Sequence, residues 1–117
     1  MSIQIKRVYE PPGKSDGKRI LVDRIWPRGL TKEQASIFIW MKEIAPSHEL
    51  RKWFAHKPEN YETFKQNYLQ ELQHEEARKL LDQIKEWSET DAVTLVYGAK
   101  DEKMNQAIIL KEVIEGM

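Results

Sequence analysis

Two short, unbroken apolar runs, Ile20-Leu21-Val22 and Val93-Thr94-Leu95-Val96-Tyr97, stand far apart in the chain with helical patterning between them. A continuous run, as opposed to an alternating one, belongs to a strand buried on both faces, and such strands occur where helices cover a parallel sheet. Arg19–Asp23 and Val93–Tyr97 are therefore predicted as strands. The first is broken at Trp26-Pro27-Arg28-Gly29, where Pro27 lacks an N–H and Gly29 suits a turn, and the second ends at Gly98. Ile3, Ile5 and Val8 alternate with polar residues before Pro11-Pro12-Gly13, the pattern of a half-buried edge strand. The short Glu10–Lys18 link is tight for a helical crossover, which leaves an antiparallel first strand open.

Helix signals fill the rest. Thr31-Lys32-Glu33-Gln34 has the form of a capping box, whereas Ser36–Met41 is open between helix, turn and a short extended piece. Ala45-Pro46-Ser47 sets a second start, with Ser47 as N-cap and Leu50, Trp53 and Phe54 on one face. Pro58 suits the first turn of a helix with the stripe Tyr61, Phe64, Tyr68, Leu72. A loss of phase across Gln73–Glu76 predicts a break before the stripe Ala77, Leu80, Ile84, Trp87. Asp101 is placed to cap a final helix with Ala107, Leu110 and Ile114 inward. The expected fold is a single α/β domain over residues 1–117, a largely parallel sheet of about three strands flanked by about five helices in layers.

Composition removes whole classes of function. Hydrophobic residues at 40% and charged residues at 32% can build a core without disulfides or a structural metal. The absence of Cys excludes thiolate metal sites and cysteine nucleophiles and fits a reducing compartment. No apolar leader opens the sequence and no apolar run approaches the roughly 18 residues that span a bilayer, so a cytoplasmic protein without membrane contact is expected. Lys plus Arg balance Asp plus Glu at 19 each, which argues against a nucleic-acid partner. The first 30 residues nevertheless hold seven basic side chains (Lys6, Arg7, Lys14, Lys18, Arg19, Arg24, Arg28) against three acidic ones (Glu10, Asp16, Asp23), so an anion should meet this third of the chain. A monomer or a weak homodimer is expected.

If the two buried strands are parallel neighbours, the loops after them leave the same sheet edge, where α/β proteins place ligand crevices. The first loop offers Asp23, Arg24, Trp26 and Arg28; the second offers Tyr97, Lys100, Asp101 and Asn105. The leading expectation is a small-molecule pocket or an enzyme acting on a phosphate- or carboxylate-bearing ligand, held by Arg24, Arg28 and Lys100 while Asp23 or Asp101 performs proton transfer. Competing structural roles are an N-cap for Asp101 and strand-end ion pairs for Asp23 and Arg24. His48, His56 and His74 lack metal-ligand spacing, so no metal is expected, and His56 reads first as a helix C-terminal cap. Glycine-rich phosphate loops, nucleophile elbows and dinucleotide fingerprints are missing. The alternatives are a nucleic-acid-binding module in which the basic N-terminal third with Trp26 makes the contact, or a protein-interaction module with an apolar patch at Ile37-Phe38-Ile39-Trp40.

Val22-Asp23-Arg24-Ile25-Trp26-Pro27-Arg28-Gly29 resembles the YeaO-like family of small bacterial proteins, grouped under a domain-of-unknown-function heading. The resemblance extends through Ala45-Pro46-Ser47, Leu50-Arg51-Lys52-Trp53-Phe54 with His56, Tyr68, Glu71-Leu72, and Thr94-Leu95-Val96-Tyr97-Gly98-Ala99-Lys100-Asp101 with Asn105. Ile25 and Gly98 depart from it, standing where the family carries a Leu and often an Ala. Membership implies a bacterial, cytosolic α/β domain and points to the same two loops, adding Arg51 and His56 as ligand-binding candidates.

Overall fold

The computed structural model describes residues 3–117; Met1 and Ser2, where the sequence was read for a leader, lie outside the described residues. Strands β1 (Ile3–Arg7), β2 (Lys18–Leu21), β3 (Ile39–Trp40) and β4 (Val93–Tyr97) form one sheet in the order β1-β4-β2-β3, every pairing parallel. Five helices accompany them: α1 (Lys32–Ala35), α2 (His48–Phe54), α3 (Tyr61–Glu71), α4 (Glu75–Thr90) and α5 (Gln106–Glu115). The fold is the expected α/β class with one strand more, because the segment left open at Ser36–Met41 contributes the two-residue edge strand β3. The first strand is parallel, not antiparallel: its partner is β4, and β2 lies beyond. Residues 8–17 make the return with a single 3-10 turn at Lys14–Asp16. That is enough chain, since ten extended residues reach about 33 Å and a five-residue strand is about 17 Å long.

The two sheet faces are covered unequally. Ile20 and Val22 of the β2 region and Val93, Leu95 and Tyr97 of β4 join residues of α2 to α5 in the main core, with Phe64, Leu81, Ile84, Ile109 and Leu110 at its centre. The opposite face carries a thinner layer in which Val8, Leu21, Ala35 and Val96 meet Trp26, Leu30, Ile37 and Trp40. Every residue of β4 is buried, which explains its unbroken apolar run.

Local signals set most boundaries. Thr31 Oγ1 accepts from the Gln34 N–H at 3.1 Å while Gln34 Oε1 accepts from the Thr31 N–H at 2.9 Å, closing the capping box. Ser47 caps α2 through the Leu50 N–H at 3.2 Å. The phase break falls between α3 and α4 as predicted. Three inferences need correction. Trp53 is 48% exposed, because a seven-residue helix turns only Leu50 and Phe54 inward. On α4 the buried line runs through Ala77, Leu81, Ile84 and Ser88, one step round from the predicted stripe, leaving Leu80 and Trp87 half-buried. The last helix is capped by Asn105, whose Oδ1 accepts from the Ile108 N–H at 3.1 Å, and not by Asp101.

At the amino ends of the strands Asp16 and Arg19 form a buried pair at 2.8 Å, with Lys6 at 3.2 Å from the same carboxylate. Burial alone would raise the Asp16 carboxyl, but the Gly13 N–H, Arg19 and Lys6 outweigh it and hold it below the ordinary value. Asp16→Asn keeps the shape and removes the charge. It should cost about 2–3 kcal/mol, the worth of a hydrogen bond to a charged group, seen as a lower urea midpoint. Since the folded value lies below the unfolded one, this contribution is complete above about pH 4 and disappears as pH falls through the folded value. The difference between the two proteins should shrink accordingly in acid.

Candidate functional site

A cavity of about 640 Å³ opens at the carboxyl ends of β2 and β4. The β2 exit loop supplies Asp23, Arg24, Trp26 and Arg28; α2 and the turn after it supply His48, Arg51, Lys52 and His56; the β4 exit and the first residue of α5 supply Gly98, Ala99 and Gln106. Tyr9, Phe54 and Phe64 add aromatic wall. Arg28, Arg51 and Lys52 are exposed at the cavity and make no side-chain hydrogen bond or ion pair with the described residues. Arg24 is engaged: its Nε donates to the Pro46 carbonyl at 2.8 Å and its Nη2 to the Ala45 carbonyl at 3.1 Å. It works chiefly as a clasp that ties the β2 exit to the entry of α2.

A second clasp orients α2. Glu71, at the end of α3, accepts from the Ser47 N–H at 2.8 Å and from the Ser47 hydroxyl at 2.6 Å. With the helix start fixed from both sides, Arg51 and Lys52 are presented toward the β2 exit. At the other end Ala55 (φ 48°) and His56 (φ 55°) occupy the left-handed region in succession. Such a conformation costs non-glycine residues about 1–2 kcal/mol each. It turns the chain sharply and sets the His56 ring 5.5 Å from Phe54 at the cavity wall, so strain is held beside the cavity.

Among the described residues Asp23 is the one carboxylate on the wall. Its Oδ2 accepts from the Gly98 N–H at 2.8 Å and its Oδ1 from Gln106 Nε2 at 2.6 Å. A Cβ on residue 98 would stand 2.8 Å from Asp23 Oδ2, so a residue with a side chain there requires the carboxylate to shift. Burial raises the Asp23 carboxyl above its ordinary value, against the bonds from Gly98 and Gln106 and the charges of Arg51 and His56. Ionising Asp23 is thus harder in the fold than in the unfolded chain, and its charge costs stability once pH rises through the folded value. Asp23→Asn removes that cost, since its amide oxygen can accept from Gly98 and its NH2 can donate to a rotated Gln106. We expect the variant to melt higher at neutral pH, by roughly 0.5–1 kcal/mol or about 2–5 °C, with the gain fading in acid.

The second predicted loop contributes less. Tyr97 is 2% exposed and packed in the main core, and Asn105 is buried as the α5 cap. Asp101 accepts from the Lys103 and Met104 N–H groups at 2.8 and 3.0 Å, bonds that hold its carboxyl below the ordinary value. Neither these three nor Lys100 lines the cavity. Asp23, Arg24, Trp26, Arg28, Arg51 and His56 are brought together there. The sequence reasoning missed Lys52, His48 and Gln106. Lys52 and His48 lie on the short helix that carries Arg51, and Gln106 opens α5.

No solved structure matches the chain. It is 48% identical over 113 residues to the uncharacterized protein YeaO of Escherichia coli (strain K12), an alignment spanning 96% of each chain. An uncharacterized protein of Mycobacterium tuberculosis (strain H37Rv) is 37% identical over 114 residues, 97% of this chain and 94% of that one. A family model described as the inactive DUF488-N3 subclade matches residues 2–117, so the chain belongs to that subclade together with the YeaO-like resemblance read from its motifs.

Proposed function

We propose that this chain is a cytoplasmic binding protein, a monomer or weak homodimer, whose cavity takes up a small ligand bearing a phosphate or carboxylate without transforming it. One observation carries the reading: Arg28, Arg51 and Lys52 face one cavity with no partner among the described residues. Structural arginines are normally paired, whereas unpaired ones around a concavity suit an incoming anion. The description of the subclade as inactive favours binding over chemistry, with Asp23 as a wall and Asp101 as a turn cap. A cytoplasmic place is supported by the absence of Cys and of any helix among the described residues long and apolar enough to cross a membrane. The test is a thermal-shift series of phosphates and carboxylates on the wild type and on Arg51→Ala. Saturation at a hundredfold excess over Kd should stabilise the wild type by about 2.7 kcal/mol, several degrees, and the variant by much less. Equal shifts in both proteins would remove Arg51 from the site, and no shift with any compound would remove the reading.

A protein-interaction role has one observation in its favour. Phe38 is 55% and Ile39 37% exposed at the β3 edge, although Lys18 lies over the Phe38 ring at 4.7 Å and Trp87 meets it edge-on. Sedimentation velocity over a concentration series decides it: association that Phe38→Glu abolishes would favour this role.

A further inference from the structure

Resting on the anion-pocket reading, we infer that the ligand is a phosphate ester of a polyhydroxylated compound, its phosphate met by Arg28, Arg51 and Lys52 and its neighbouring hydroxyls donating to Asp23. The argument begins with what Asp23 lacks. An ionised carboxylate has about four lone-pair sites. The structure fills two, one on each oxygen, from Gly98 and Gln106. No cationic side chain among the described residues lies within ion-pair distance of it, although Arg24 precedes Arg28 on the same loop and Arg51 faces it across the cavity. One accepting site per oxygen is left unfilled by the described residues, and Asp23 lines the cavity; two such oxygens on one carbon suit a pair of adjacent hydroxyls, extending the way an acidic side chain holds a ribose hydroxyl.

The charge of the wall selects among donors. Arg24, Arg28, Arg51 and Lys52 against Asp23 give four positive charges and one negative, a formal +3 with the histidines neutral. An ammonium group would enter against that field, whereas a neutral hydroxyl does not feel it. The same excess favours a phosphate, which carries nearly two negative charges, over a single carboxylate. A cavity of about 640 Å³ accommodates a sugar phosphate or a mononucleotide, and the sugar–phosphate unit is common to both.

Titration calorimetry at low salt separates the possibilities, with ribose 5-phosphate, AMP, 2′,3′-dideoxy-AMP, propyl phosphate and phosphoethanolamine as probes. Ribose 5-phosphate should bind the wild type at least about tenfold more tightly than propyl phosphate, and AMP should exceed its dideoxy analogue similarly, since each lost hydroxyl leaves a charged acceptor unpaired. In Asp23→Asn this advantage should fall to about threefold or less, while propyl phosphate binds at least as tightly as to the wild type because one repelling charge has gone. AMP well above ribose 5-phosphate would identify the source as a nucleotide; parity would identify it as a free sugar phosphate. Equal affinity for propyl phosphate and ribose 5-phosphate would overturn the inference and leave the anion reading standing. Tightest binding by phosphoethanolamine would overturn it as well. If no phosphate binds at all, inference and reading fall together.

Discussion

Gly17→Ala is expected to lose about 4–6 kcal/mol, adding backbone strain of a few kcal/mol to a core-like overlap, and to leave little folded protein at 37 °C. Gly17 has φ 64° and ψ −132°, a region that side chains avoid. The space is closed too: a Cβ there would stand 2.0 Å from the Ala92 carbonyl oxygen and 2.6 Å from its carbon. Both are backbone atoms and cannot rotate away. The same Ala92 oxygen accepts from the Lys18 N–H at 3.0 Å, the bond that opens the β2–β4 ladder. Relief would need β2 to move from β4, which also breaks the Thr94 hydroxyl's 2.7 Å bond to the Asp16 carbonyl. Against a total of about 5–15 kcal/mol for a domain, this is a large fraction. Denaturant unfolding followed by circular dichroism checks it, and a midpoint close to that of the wild type would contradict the close approach.

The double variant Arg28→Ala/Arg51→Ala should lose more than about 100-fold in affinity for a phosphate ligand while melting within about 0.5–1 kcal/mol of the wild type. The two halves of this expectation share a cause. Neither side chain makes a hydrogen bond or ion pair with the described residues, so removing it breaks no polar contact of the fold, while a ligand loses a charge that would meet it. A charge-assisted bond is worth about 1.5–3 kcal/mol, so two of them give the hundredfold loss. Arg24→Ala should behave differently. Its bonds to the Ala45 and Pro46 carbonyls position α2, so its removal should lower stability and affinity together. Calorimetric affinity and melting temperature, measured on all three proteins, make the comparison.

These two expectations sit at opposite ends of the sheet, and the sequence revealed the two ends unequally. The Asp23–Arg28 loop was legible because a doubly buried strand must stop where Pro27 and Gly29 follow it, which puts the charges after it at the sheet edge; that Arg24 turns to the Ala45 and Pro46 carbonyls was not. Arg51 came only from the resemblance, which also raised His56 above its reading as a cap, since the direction of a seven-residue helix is set by tertiary clasps from Arg24 and Glu71 that no periodicity encodes. Asp101 and Asn105 are both good caps four residues apart, and propensity does not choose between them; the chain uses Asp101 for a turn and Asn105 for the helix, which carries Lys100 away from the cavity. The α4 face was off by one residue because Leu80 and Leu81 are equally apolar, so only the neighbours decide which is buried. Asp16 was counted as charge, yet its value to the fold comes from Arg19 three residues on and Lys6 ten residues back.

The most direct test of the anion pocket is a 15N-resolved NMR titration with inorganic phosphate at low ionic strength, following backbone amides and arginine Nε–H groups. The structure predicts saturable shifts concentrated at Asp23–Arg28, His48–His56 and Gly98–Gln106, with the Nε–H signals of Arg28 and Arg51 among the most affected. Shifts that stay linear in phosphate, or that centre on the Lys14–Arg19 end of the sheet, would contradict it.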